Sequence, residues 1–134
     1  MELNLEVDRY CFACGTDNPI GLKLEFKYTS GGVEANFIPG KEHQGFVNLV
    51  HGGILSTIMD EAMAHAVLSL QLKAVTARMG VSYKKPTRIG EPLTVKGRIV
   101  EKKGRLIKTA ASILQNGFIT ADATADFLLA SEVE

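Results

Sequence analysis

The sequence predicts an α+β protein: a curved antiparallel sheet of about six strands wrapped around one long central helix. Three observations carry this expectation. Neither Gly nor Pro interrupts the apolar run from Ile54 to Gln71 that follows His51-Gly52-Gly53. Alternating segments lie on both sides of that run, two before it and about four after it. Hairpin signals join those segments, with Asn116-Gly117 the strongest. Hairpin-linked strands around a single helix mean an antiparallel sheet. One helix cannot cover both faces of such a sheet, so a sheet curled round the helix uses the pattern best.

The elements follow in order. Leu22, Leu24 and Phe26 alternate with Lys23, Glu25 and Lys27, which predicts a half-buried strand. Ser30-Gly31-Gly32 turns the chain into a partner strand carrying Val33, Ala35 and Phe37, and Pro39-Gly40 stops it. Lys41 to Val50 reads as a loop. The helix places Ile54, Leu55, Ile58, Met59, Ala62, Met63, Ala66, Val67 and Leu70 at three- and four-residue steps, and its predicted end is near Gln71 to Lys73. In the next strand Val75, Ala77, Met79, Val81 and Tyr83 share one face, with Thr76, Arg78 and Ser82 on the other. Leu93 to Ile99 and Leu106 to Leu114 are strands. The last alternates Ile119, Ala121, Ala123, Ala125, Phe127 and Leu129 with polar residues. The edges of this sheet invite pairing with a second copy, so a homo-oligomer is expected.

Residues 1–134 suffice for one domain with one core. Net charge is zero, which argues against a nucleic-acid partner. The opening Met1-Glu2-Leu3-Asn4 lacks the features of a secretory leader, and no apolar run reaches membrane-spanning length. The cytosol is the expected compartment, with no membrane partner. Cys11 and Cys14 flank Phe12-Ala13 ahead of a turn at Asn18-Pro19-Ile20-Gly21. A structural zinc site needs four ligands, and no second Cys or His pair stands at motif spacing. Reduced, packed thiols in a tight turn are therefore expected, and no catalytic metal. No Gly-rich phosphate loop of mononucleotide or dinucleotide type is present.

One acid, Asp60, sits in the middle of the apolar helix, with Glu61 beside it. A carboxylate there is costly to bury without a purpose or a partner. Structural alternatives are pairing of Asp60 with Arg78, and close helix packing at Gly52 and Gly53. His51 reads as a cap or supporting hydrogen-bonder at the helix start.

His51-Gly52-Gly53 opening a helix, an acid nine residues after the His, and this strand order together resemble the hotdog-fold acyl-CoA thioesterases of the phenylacetate-pathway type. Cys11-Phe12-Ala13-Cys14-Gly15, Asn18-Pro19-Ile20-Gly21-Leu22, His43-Gln44-Gly45 and Tyr83-Lys84-Lys85-Pro86 extend the likeness over nearly the whole chain. The resemblance implies hydrolysis of an aryl- or medium-chain acyl-CoA. Coenzyme A is then part of the substrate, and no separate cofactor is needed. It implies that Asp60 is general base or nucleophile and that Thr76 positions it. The backbone N–H of Gly52 would polarise the thioester carbonyl, with Gly53 beside it. Many members also use an Asn or Gln in the preceding loop. The matching position here is Gly45, so Gln44, and then Asn48, is the expected stand-in. Arg78, Lys85 and Arg88, with Lys84, are the cations expected near the coenzyme A phosphates.

Helix geometry adds a constraint. Gly52 and Asp60 are about 12 Å apart along one helix at ~1.5 Å per residue. Reacting atoms must lie within about 3–3.5 Å of one another. Two antiparallel helices from two subunits meet this requirement, as the family's dimer-spanning site implies, in a homodimer or homotetramer. Two rival classes fit the sequence less well. A hotdog hydratase pairs an Asp with a His five residues on, but Asp60 and His65 point about 140° apart on a helix. A non-catalytic acyl-CoA binding domain has no use for the acid.

Overall fold

The computed structural model describes residues 5–130, so Met1-Glu2-Leu3-Asn4 lies outside the described part. Six strands form one antiparallel sheet in the order β1-β2-β4-β5-β6-β3. They are β1 (Lys27–Thr29), β2 (Gly32–Phe37), β3 (Ala74–Tyr83), β4 (Leu93–Lys103), β5 (Leu106–Gln115) and β6 (Phe118–Leu129). The helix α1 (Gly52–Leu68) packs on the sheet and touches β2 through β6.

The helix buries Leu55, Ile58, Met59, Ala62, Met63, Ala66 and Val67, the stripe expected from the spacing. Opposite it lie Val33, Ala35, Leu93, Val95, Ile107, Ile113 and the alternating alanines and Phe127 of β6. Small residues set the distance between the layers. Gly97 of β4 faces Ala62, and a Cβ on Gly97 would sit 2.5 Å from the Ala62 carbonyl oxygen.

Four expectations need correction. The helix ends at Leu68, not near Gln71 to Lys73. Leu70 and Gln71 donate their N–H groups three residues back, to Val67 and Leu68, and Gln71 takes a φ of 60°. These tightened bonds close the last turn and leave Leu70 exposed. Leu22 to Phe26 alternate as expected but belong to no sheet. The N–H groups of Leu22 and Leu24 instead donate to the carbonyls of Phe12 and Ala13, both at 2.9 Å. Only Lys27–Thr29 pairs with β2.

The other two corrections have one cause. The β3–β6 register slips between Thr76 and Arg78, so Ala77 is an extra residue. Thr76 pairs with the buried Phe127 and Met79 with the buried Ala125. Thr76 therefore shares the helix-facing side with Met79, Val81 and Tyr83, while Val75 turns outward. A second slip after Ile113 does the same on β6, turning Ile119 outward and Thr120 inward. There the Thr87 hydroxyl donates to that of Thr120 at 2.8 Å.

Because α1 leaves no room above β4, Gly97→Ala should destabilise the protein by about 1–3 kcal/mol through overpacking. A urea unfolding midpoint that falls at constant slope is the expected result; an unchanged midpoint would contradict the close approach.

Candidate active site

The start of α1 is capped by His51, whose Nδ1 accepts the Gly53 N–H at 2.8 Å. That bond leaves the proton of the neutral ring on Nε2. The His51 carbonyl accepts from Ile54 and Leu55. The Gly52 N–H, by contrast, donates to no group among the described residues. Tyr83 lies over this glycine, and a Cβ there would stand 3.4 Å from its ring. The Tyr83 hydroxyl donates to the Gly52 carbonyl at 3.0 Å and lies 2.7 Å from Ser56 Oγ. With its proton committed to Gly52, Tyr83 accepts from Ser56. Neither Tyr83 nor Ser56 was singled out from the sequence as a site residue. The sequence signals for Tyr83 are its place at the end of β3 and at the head of Tyr83-Lys84-Lys85-Pro86.

Two turns further along the helix, Asp60 Oδ1 accepts the Thr76 hydroxyl at 2.9 Å. The bulge at Ala77 makes this contact by turning Thr76 toward α1. Burial pushes the Asp60 carboxyl above the ordinary aspartate range. The Thr76 hydrogen bond pulls it down, and the neighbouring Glu61 charge pushes it up. Asp60 forms no ion pair among the described residues. Arg78, the alternative partner, lies past the bulge opposite Asp126.

The remaining expected residues are dispersed. Gln44 Oε1 accepts the Asn48 N–H at 2.9 Å, so its carbonyl is used to hold its own loop. Asn48 takes a φ of 65° at that turn, and its carbonyl accepts from Ile89. Phe46 and Val47 between them are 86% and 77% exposed. Lys85 stands over the Phe118 ring, 5.1 Å from its centre. Arg88 is held through its backbone by the Gln115 side chain. Lys84 lies 3.6 Å from Asp122. A cavity of about 870 Å³ lies elsewhere, against Lys96, Arg98, Ser112 and Thr124, and no expected catalytic residue lines it.

On the other flank of α1 three side chains that could ligate a metal come together. The donor atoms of Cys11, Cys14 and Glu61 lie within 4.8 Å of one another. The third donor comes from a helix fifty residues on, which no local motif reveals.

One helix across a six-stranded antiparallel sheet, with a glycine at the helix start and a half-buried acid in its middle, defines a hotdog-fold protein of the thioesterase class. The thioesterase superfamily model matches residues 47–120, more than half of the chain, and the chain belongs to that superfamily. Its sequence is 28% identical over 114 residues to the mouse acyl-coenzyme A thioesterase THEM4, covering 81% of this chain and 49% of that protein. The chain thus spans about half the length of the curated relatives it matches. A thioesterase superfamily protein of known structure superposes with a TM-score of 0.86 at 26% identity, covering 90% of this chain and 60% of that one. A hypothetical thioesterase from Streptococcus pneumoniae, solved with coenzyme A, gives 0.75 at 25% identity, covering 79% and 87%. The E. coli PaaI protein of the phenylacetic acid degradation operon, at 18% identity and a TM-score of 0.74 over 80% of this chain and 83% of that one, shares the fold. No helix among the described residues is long and apolar enough to cross a membrane.

The raised Asp60 pKa fixes the sign of a stability effect. Folding favours the protonated acid, so ionising it costs stability. That cost is absent below the unfolded-state pKa and grows as pH rises through the folded-state value. Asp60→Asn keeps the acceptor for Thr76 and removes the charge. The variant should melt above wild type at pH 7, with the difference vanishing toward pH 3. A variant less stable than wild type at pH 7 would show that the charge is compensated.

Proposed function

We propose that residues 1–134 form a single acyl-CoA thioesterase domain that hydrolyses an aryl- or medium-chain acyl-CoA to the free acid and coenzyme A. The observation that carries this reading is Asp60: a partly buried carboxylate with a raised pKa, held by a threonine hydroxyl on a helix whose fully buried residues are all apolar. Asp60 attacks the thioester carbon or takes a proton from water that does so. Thr76 fixes the carboxylate oxygen that does not react. The carbonyl oxygen, becoming negative, is received by the Gly52 N–H at the electropositive start of a helix. Tyr83 holds that glycine by its carbonyl, and His51 caps the helix start through Gly53.

Asp60 and Gly52 of one helix are too far apart for one carbonyl, so we assign the two groups to different subunits of a homodimer or homotetramer. The exposed β3 edge, with Val75 and Tyr83 on it, supports a pairing surface. Gln44, with Asn48, is assigned to the thioester carbonyl and Gly53 to the substrate beside it, while Arg78, Lys85 and Arg88 are assigned to the coenzyme A phosphates. The names of the THEM4 relatives and the coenzyme A in the S. pneumoniae structure favour an acyl-CoA substrate. The compartment assigned is the cytosol.

Release of free thiol from a panel of aryl- and alkyl-CoA esters tests the reading. Asp60→Asn should lower kcat by about 10²–10⁴-fold. Gly52→Pro deletes that N–H without straining the backbone, because proline suits the first helical position and His51 already has the extended backbone that precedes a proline. It should fold normally and lose about 10²–10³-fold in kcat. Acyl-CoA binding without thiol release by wild type would replace the enzyme with a binding domain.

A further inference from the structure

Glu61 takes no part in that chemistry, yet its side chain is only 19% exposed. It points to the flank of α1 where the Cys11-to-Cys14 turn folds back. Cys11 Sγ lies 3.7 Å from Glu61 Oε2. The turn is held by its own backbone: the Cys14 N–H donates to Cys11 Sγ at 3.4 Å, and the Gly15 N–H to the Cys11 carbonyl at 2.9 Å. Glycine is required at position 15, since a Cβ there would stand 2.4 Å from the Arg9 carbonyl. Behind the carboxylate, His65 Nε2 is 3.2 Å from the same Glu61 oxygen. The His65 ring stacks on Phe26 at 4.5 Å, with the Tyr28 hydroxyl 3.3 Å from Nδ1. A cavity of about 380 Å³, lined in part by Val7 and Asp8, opens onto the cluster.

We propose that Cys11, Cys14 and Glu61 bind a zinc ion, with His65 orienting the Glu61 carboxylate from behind. Two sulfurs and one oxygen suit zinc and disfavour magnesium and calcium, which take oxygen ligands. Bonds of about 2.3 Å to sulfur and about 2.1 Å to oxygen place two tetrahedral ligands about 3.6 Å apart. The Cys11–Glu61 separation of 3.7 Å is close to that. Water takes the fourth position, on the cavity side.

The charge balances. Two neutral thiols and one carboxylate become two thiolates, one carboxylate and Zn²⁺, with two protons released to solvent, so the cluster keeps one net negative charge. Because two protons leave when the thiols bind, zinc affinity weakens as pH falls. The ion would clamp the turn that receives Leu22 and Leu24 onto the residue next to Asp60.

The test uses the full chain, reduced, stripped with a chelator and titrated with Co²⁺ and then Zn²⁺. The expected result is one Co²⁺ per chain with thiolate-to-cobalt charge-transfer absorption, displaced by one Zn²⁺ with release of two protons. Cys14→Ser should abolish that absorption. Glu61→Gln should weaken Co²⁺ and Zn²⁺ binding, and His65→Gln should weaken zinc binding by about 10–100-fold while keeping the absorption. Folded wild type that takes up no Co²⁺, or takes it up without thiolate absorption, overturns the proposal, whether or not Cys14→Ser folds. So does an unchanged Co²⁺ spectrum in folded Cys14→Ser, or a chain purified without reductant that is lighter by two hydrogens, the mass of a Cys11–Cys14 disulfide.

Discussion

A carboxylate held half-buried in the middle of an apolar helix is the constraint around which this molecule is arranged. Nothing about packing calls for Asp60 there. Its neighbours Ile58, Met59, Ala62 and Met63 are fully buried, and a charge between them costs solvation that no ion pair returns. Among the described residues, the side chain that hydrogen-bonds it is Thr76. That hydroxyl reaches Asp60 only because β3 carries one extra residue. Without the slip at Ala77 the sheet would turn Thr76 outward, away from the acid. A local irregularity in one strand thus decides whether the helix carries a bare liability or a positioned reactive group.

Much of this was legible in the sequence. The helix, the hairpins and the antiparallel class follow from periodicities that the burial of Leu55 to Val67 and of β5 and β6 obeys. Asp60 was legible because an acid breaks an apolar stripe. The bulges were not. Val75, Ala77 and Met79 alternate without fault, and only pairing with Phe127 and Ala125 shows which residue is extra. Register belongs to the partner strand, so reading one strand alone assigned Thr76 and Ile119 to the wrong faces. The helix end was lost for a similar reason: Leu70 continues the period, but the backbone has already closed at Leu68.

The pair Cys11 and Cys14 illustrates the same limit. Along the chain the ligand spacing shows only half a site. Folding brings up Glu61, and His65 behind it, from a helix whose sequence reads entirely as core and catalysis. Adjacent acids on α1 thereby face different environments. Asp60 meets a hydroxyl and is pushed up, whereas burial of Glu61 is outweighed by its contacts with His65 and Cys14, which hold it low.

Gly52 presents an unused N–H at one end of α1 and Asp60 a carboxylate two turns along, and a shared site across a twofold axis uses both. The most direct measurement mixes two variants, each inactive by itself, Asp60→Asn and Gly52→Pro, after subunit exchange. Activity that reappears on mixing is the predicted result, since the hybrid contains one site with an intact aspartate from one chain and an intact N–H from the other. A mixture as inactive as its parts, with exchange verified, would contradict the account.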